Sequence, residues 1–175
     1  MFESSILFYA TIIFLAFFAV FLFISMRLHF LQKKMRELEL KIIRRYFQKI
    51  NKIPALVEIM KKYTPFTDIF SELIVLHKKA FLLSSESIYD ILEGNHRIFR
   101  EILFLMKLSN KIRNLQRDGN FLYLRDFVIF YENELKKEIR DFNMLMQGYN
   151  KAIELRRLTI IGLLFSRNEK IEIPS

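Results

Sequence analysis

The chain has 175 residues and a formal net charge of +9, is 52% apolar, and contains four glycines, three prolines and no cysteine. The missing cysteines exclude disulfides, thiolate metal sites and thiol nucleophiles. So few chain breakers in so much apolar sequence argue against a strand-and-turn fold and for long helices in one domain with appendages.

The first element is ILFYATIIFLAFFAVFLFIS, residues 6–25, which carries no charge. At about 1.5 Å per residue it spans roughly 30 Å, the hydrocarbon thickness of a bilayer. Its flank MFESS lacks the basic start of a signal peptide, and FISMRL lacks a small-x-small cleavage site, so the segment reads as an uncleaved anchor. Behind it, Arg27, Lys33, Lys34, Arg36, Lys41, Arg44, Arg45, Lys49 and Lys52 face only Glu37 and Glu39. Basic residues next to a membrane segment stay in the cytoplasm. The expectation is a single-pass protein of the bacterial inner (cytoplasmic) membrane, with the N-terminus outside. Residues 1–26 are the anchor, 27–165 a cytoplasmic helical bundle and 166–175 a polar tail.

From Arg27 nothing stops the helix. Leu28, Leu31, Met35, Leu38 and Ile42 alternate spacings of three and four, a coiled-coil seam suited to self-association, until the register meets Arg45 and Lys49. A wider stripe continues through Tyr46, Ile50, Ile53, Val57 and Met60, with Pro54 expected to bend or break it. Thr64-Pro65 predicts the cap and first position of the next helix, over about residues 65–83, with Phe66, Ile69, Phe70, Leu73, Ala80 and Phe81 along one side. Ser87 and Asp90 fit a capping box, and Gly94-Asn95 is a second candidate break. A third helix, to about residue 116, aligns Ile91, Leu92, Phe99, Ile102, Leu103 and Met106. Asp118-Gly119-Asn120 closes it, with Gly119 as terminator and Asn120 as the next cap. The last helix, about 121–157, advances by three or four through Leu124, Val128, Tyr131, Leu135, Ile139, Phe142, Met146, Tyr149 and Ile153. The fold class is all-α: one N-terminal transmembrane helix, then an antiparallel up-and-down bundle of long helices.

On this last helix Glu132, Asn143 and Asn150 fall within about 20° of one another at 100° per residue. They line the edge of the apolar stripe, while Asn133 points further out. Edge amides of this kind either fix register between helices or contact a partner.

The same region resembles the LemA-like membrane proteins, whose pattern runs NFLxLQ, a TEN-like triplet, YN, a second YN seven residues on, and an LFGF-like end. Here it reads Asn120-Phe121-Leu122, Tyr131-Glu132-Asn133, Phe142-Asn143, Tyr149-Asn150 and Gly162-Leu163-Leu164-Phe165, and IPALVEIMKKY (53–63) is similar to the family's IPNLVExVKxY. The resemblance covers the anchor, residues 44–63 and 115–165. It departs at Arg113 and Leu158, where the family usually has proline, at Ala55 in place of asparagine and at Phe142 in place of tyrosine. It implies a four-helix up-and-down cytoplasmic bundle behind one membrane helix, and no established activity.

Signals for chemistry are sparse. His29, His77 and His96 never stand at ligand spacing, and His77 falls on an apolar stripe, as a satisfied core histidine does. The four scattered glycines make no phosphate-cradling loop, and no serine sits in a G-x-S-x-G context. No cofactor, no metal and no catalysis are expected. The basic surplus clusters beside the bilayer, which favours anionic lipid over nucleic acid as its partner. Arg27, Lys33, Lys34, Arg36, Lys41, Arg44 and Arg45 are the candidate lipid contacts. The apolar run LTIIGLLF, residues 158–165, returns to the membrane if the bundle has four passes, and ends far from it if three. The functional expectation is a scaffold or adaptor that binds an unidentified protein partner at the cytoplasmic face. The alternative is a lipid-surface or membrane-organising module that uses the basic region and the 158–165 run.

Overall fold

The computed structural model describes residues 2–82 and 88–158, and their side chains from residue 6 onward except at position 82. Among these residues there are helices and no strands. They are α1 (Phe2–Ile50), α2 (Ile53–Tyr63), α3 (Ser71–Leu82), α4 (Ile88–Ser109) and α5 (Gly119–Leu158), with short 3-10 turns at Asp68–Phe70 and Leu115–Arg117. The run 158–165 beyond Leu158, Ser87 with its capping box, and the 166–175 tail lie outside the described residues.

The chain forms two compact units. One takes residues up to Leu38 and from Arg140 onward. It contains the apolar segment 6–25, whose side chains from Ile6 to Phe23 are mostly exposed. This is the one helix among the described residues long and apolar enough to cross a membrane. Just past that segment the core begins, with Leu28 and Met35 of α1 and Phe142, Met146, Tyr149 and Ile153 of α5 all buried. Gln32 Nε2 donates to the Tyr149 hydroxyl at 2.8 Å, and the Arg156 guanidinium lies 5.2 Å over the ring of Phe21. Numbers fall along α1 as they rise along α5, so the two helices run antiparallel.

The other unit, Glu39–Ile139, holds the end of α1, then α2, α3, α4 and the first half of α5. Ile42, Tyr46 and Ile50, then Ile53, Leu56 and Met60, are buried along α1 and α2. α3 and α4 pack side by side, so the chain reverses between them and the bundle has four passes. The junction of α1 and α2 follows from Pro54 at the start of α2. A proline has no N–H to give the carbonyl four residues back, here that of Ile50. The ring of His77 on α3 comes near that carbonyl, with its Nε2 enclosed and without a hydrogen-bond partner among the described residues.

Several boundaries differ from those the sequence predicts. Gly94-Asn95 makes no break and lies inside α4. Thr64-Pro65 does not start a helix: residues 64–67 are outside any helix, the Thr64 hydroxyl accepts the Phe66 N–H at 3.3 Å, and Phe66 is exposed. α4 stops at Ser109, well before residue 116. There the Ser109 hydroxyl donates to the Met106 carbonyl at 2.7 Å and accepts from Gln116 Nε2 at 3.2 Å, local bonding that competes with the helical ladder. The cap of α5 is Asp118 rather than Asn120. Asp118 Oδ1 accepts the N–H of Asn120 at 2.8 Å and of Phe121 at 3.0 Å, as a capping carboxylate does.

The residues of the expected self-association seam are largely taken up inside the chain. Leu28, Met35 and Ile42 are buried within the chain itself, and Leu31 and Leu38 are half-buried. The periodicity is real, but the partner helix is the chain's own α5.

Candidate functional site

The polar feature of unit 39–139 is built by three residues four apart on α1, Lys41, Arg45 and Lys49, opposite three carboxylates of α5, Glu138, Glu134 and Glu132. Residues four apart on a helix share a face, so the two rows can meet side by side. Lys41 Nζ lies 3.1 Å from Glu138 Oε1. Arg45 bridges Glu138 Oε1 at 3.3 Å and Glu134 Oε2 at 3.6 Å. Lys49 Nζ lies 2.6 Å from Glu132 Oε2.

The pairs differ most in burial. Lys41 is half in water, whereas Lys49 is 0% exposed, Glu132 2% and Asn95 5%. Asn95, from α4, completes the inner cluster. Its Oδ1 accepts from Lys49 Nζ, and its Nδ2 donates to Glu132 Oε2 at 3.5 Å. Three helices are therefore joined by one closed set of hydrogen bonds. The rings of Phe99 and Tyr46 lie 5.7 and 6.0 Å from the ammonium. Burial pushes the Lys49 ammonium below its usual range, and the Glu132 carboxylate opposes that by attraction and hydrogen bonding. Burial also pushes the neighbouring Tyr46 phenol up to about 12.

Chemically, this arrangement is a buried set of opposite charges and an amide that satisfy one another. A lysine with a depressed pKa can act as a nucleophile or base where a substrate can reach it. Here the ammonium is sealed. The groove between α3 and α4, about 270 Å³, is lined by Leu76, Lys79, Asp90, Glu93 and Arg97 among others, and by none of the inner cluster. Among the described residues no three His, Asp or Glu side chains converge as metal ligands do. A closed buried ion pair is weak evidence for stability, because desolvation offsets the attraction. Its effect is directional, since only one register of α1, α4 and α5 satisfies all three side chains.

The residues singled out from sequence separate in the structure. Glu132 is a core residue, not an edge one. Asn143 and Asn150 belong to the other unit and are half-buried, with Asn143 Oδ1 enclosed and without a hydrogen-bond partner among the described residues. Asn133 is exposed. Of the candidate lipid contacts, Arg27, Lys33, Lys34, Arg36, Lys41 and Arg44 are exposed. Arg45 is not: it is half-buried, ion-paired, and lies 5.4 Å from the Tyr131 ring.

Sequence reasoning missed Lys49, Asn95 and Glu138. Lys49 did leave a signal, seven residues after Ile42 and three after Tyr46, both buried. A charge in register with two core positions asks for a buried counter-charge. Asn95 likewise interrupts the buried series Ile88, Ile91, Ile98 and Ile102.

Comparison with curated proteins gives no match. A family model described as the LemA family matches residues 35–171, which spans the ion-pair rows, the Asn95 position and all of α5. The chain carries, among its described residues, one N-terminal helix long and apolar enough to cross a membrane, and it belongs to the LemA family.

Proposed function

We propose that the protein is a scaffold or adaptor held at the cytoplasmic face of the inner membrane, acting by binding a partner protein and catalysing nothing. The observation that carries this reading is the outer face of the first half of α5. There Tyr123 is 61% exposed and Phe130 54% exposed, and the Phe127 ring stacks on Tyr131 with centroids 4.3 Å apart. Lys52 lies 5.7 Å from the Phe127 ring at the edge of this row.

Large aromatic side chains left in water, flanked by cations, are the composition of protein-binding surfaces. The polar inner cluster offers a substrate no access, so recognition by a surface is favoured over chemistry in a pocket. The basic collar beside the span supports an orientation with the bundle in the cytoplasm.

The test is mild cross-linking of the full-length protein in native membranes, followed by purification and mass spectrometry. A scaffold returns one partner in near-stoichiometric amount, and Tyr123→Ser with Phe130→Ser reduces its recovery without changing helix content. Recovery of lipid and the protein alone would end this reading.

A further inference from the structure

We infer that the end of α5 and the apolar segment of α1 together form an anionic-lipid headgroup site, centred on Arg156 and Arg157. The inference rests on the membrane anchoring of the chain and is independent of the scaffold reading.

The geometry starts at Phe21. It lies four residues before the end of the charge-free stretch 6–25, so roughly 6 Å inside its polar boundary at 1.5 Å per residue. The Arg156 guanidinium is held 5.2 Å over the Phe21 ring. The Phe21 ring belongs to the inner edge of the apolar segment, so an arginine held against it is within snorkelling reach of the headgroup phosphates.

The rest of the last turn suits the same level. Arg157 is half-buried beside Arg156, while Leu155 and Leu158 are exposed apolar side chains. Alternating apolar and cationic groups at a helix end are the pattern of an interfacial contact, with alkyl groups toward acyl chains and guanidinium groups toward headgroups. Over residues 151–158 the charged side chains are Lys151, Arg156 and Arg157 against Glu154, so the turn is net positive. The guanidinium presents its donors in a planar fork that matches a phosphate. Arg27, exposed on α1 just past the span, extends the same positive collar. Helix-end electrostatics alone favour cations in a last turn, but they do not require one of them to sit against a ring of the membrane segment.

The occupant is the phosphate of an anionic phospholipid, by continuity with the span. The experiment uses full-length protein extracted from vesicles of 70% phosphatidylcholine and 30% phosphatidylglycerol, with the lipids retained on it measured by native mass spectrometry. The wild type retains phosphatidylglycerol over phosphatidylcholine. Arg156→Gln/Arg157→Gln lowers that preference on the order of tenfold, given the known contribution of basic residues near anionic surfaces. Lys33→Gln/Lys34→Gln, further along α1, leaves most of it in place. Arg156→Lys/Arg157→Lys controls for folding by keeping the charge, and circular dichroism reports helix content for each variant. Equal retention of the two lipids by the wild type, or unchanged preference in the double glutamine variant, would overturn the inference. Displacement by millimolar inorganic phosphate would do so too, by showing a general anion site. Partner recovery in the cross-linking experiment is a separate readout, so either conclusion can fail alone.

Discussion

Lys49 Nζ and Glu132 Oε2 stand 2.6 Å apart with both side chains out of water. That distance sets the relative register of α1 and α5 within their unit, because a slip of either helix would leave a buried charge without its partner.

Removing one member of this pair should therefore cost more than removing both. Lys49→Met or Glu132→Gln alone lowers stability by about 3–5 kcal/mol, the range for an uncompensated buried charge. Lys49→Met/Glu132→Leu recovers much of the loss, since both desolvation penalties disappear together. Denaturant unfolding of the full chain in mild detergent, followed by circular dichroism, gives the coupling. Simple addition of the single costs would show that the pair does not act as a unit.

Asp118 ties the start of α5 to the end of α2. Its Oδ2 accepts the Tyr63 hydroxyl at 2.8 Å while Oδ1 caps the helix. The Phe121 N–H, then the Tyr63 hydroxyl, hold its carboxyl below the usual value of 3.8. A carboxyl depressed in the folded state contributes stability that is fully present above its unfolded value. That stability is lost as pH falls through the folded one. Asp118→Ala should lower the unfolding temperature at neutral pH and flatten its decline below about pH 4. Asp118→Asn, which still caps, should lie between the two. An identical acid profile for wild type and Asp118→Ala would remove Asp118 from the acid response.

Met35 separates intramolecular packing from self-association. It is buried inside the monomer, so Met35→Ala should cost about 2–5 kcal/mol without changing the oligomeric state in membranes. A cysteine introduced at position 35 should label poorly and trap no dimer. Efficient trapping would mean that α1 can leave α5 for a second copy.

These cases show what periodicity conveys. The 3–4 spacing through Leu28, Met35 and Ile42 identifies the face that is buried, and burial bears it out. It cannot say which helix does the burying, since an internal α5 and a second copy of α1 present the same apolar stripe. The apolar series of α5 was legible for the same reason. Helical spacing puts Glu132 at the edge of that stripe, yet it is a core residue because Lys49 and Asn95 reach it there. Pairing across helices is a property of three-dimensional neighbours, and no single segment records it. Asp118 over Asn120 is a smaller case: both are good capping residues, and the choice depends on the Tyr63 hydroxyl waiting at the end of α2.

The Pro54–His77 relationship supplies the last prediction. Pro54 has no N–H for the Ile50 carbonyl, and the His77 ring lies near enough to take its place. Burial keeps His77 below its usual value of 6.5, opposed by the nearby Ile50 carbonyl. A base whose pKa is lowered by folding favours the native state while neutral. Its contribution is complete above about pH 6.5 and fades as pH falls through the folded value. His77→Ala should cost about 1 kcal/mol at pH 7.5, the net worth of one hydrogen bond, and should remove part of the stability change between pH 7.5 and 5. In a Pro54→Ala background the restored N–H can serve Ile50, so the same substitution should cost less. A double-mutant cycle at pH 7.5 measures the difference. If His77→Ala costs the same with proline or alanine at position 54, the histidine is not replacing the missing backbone bond, and its effect is packing against Phe81, whose ring lies 5.4 Å away.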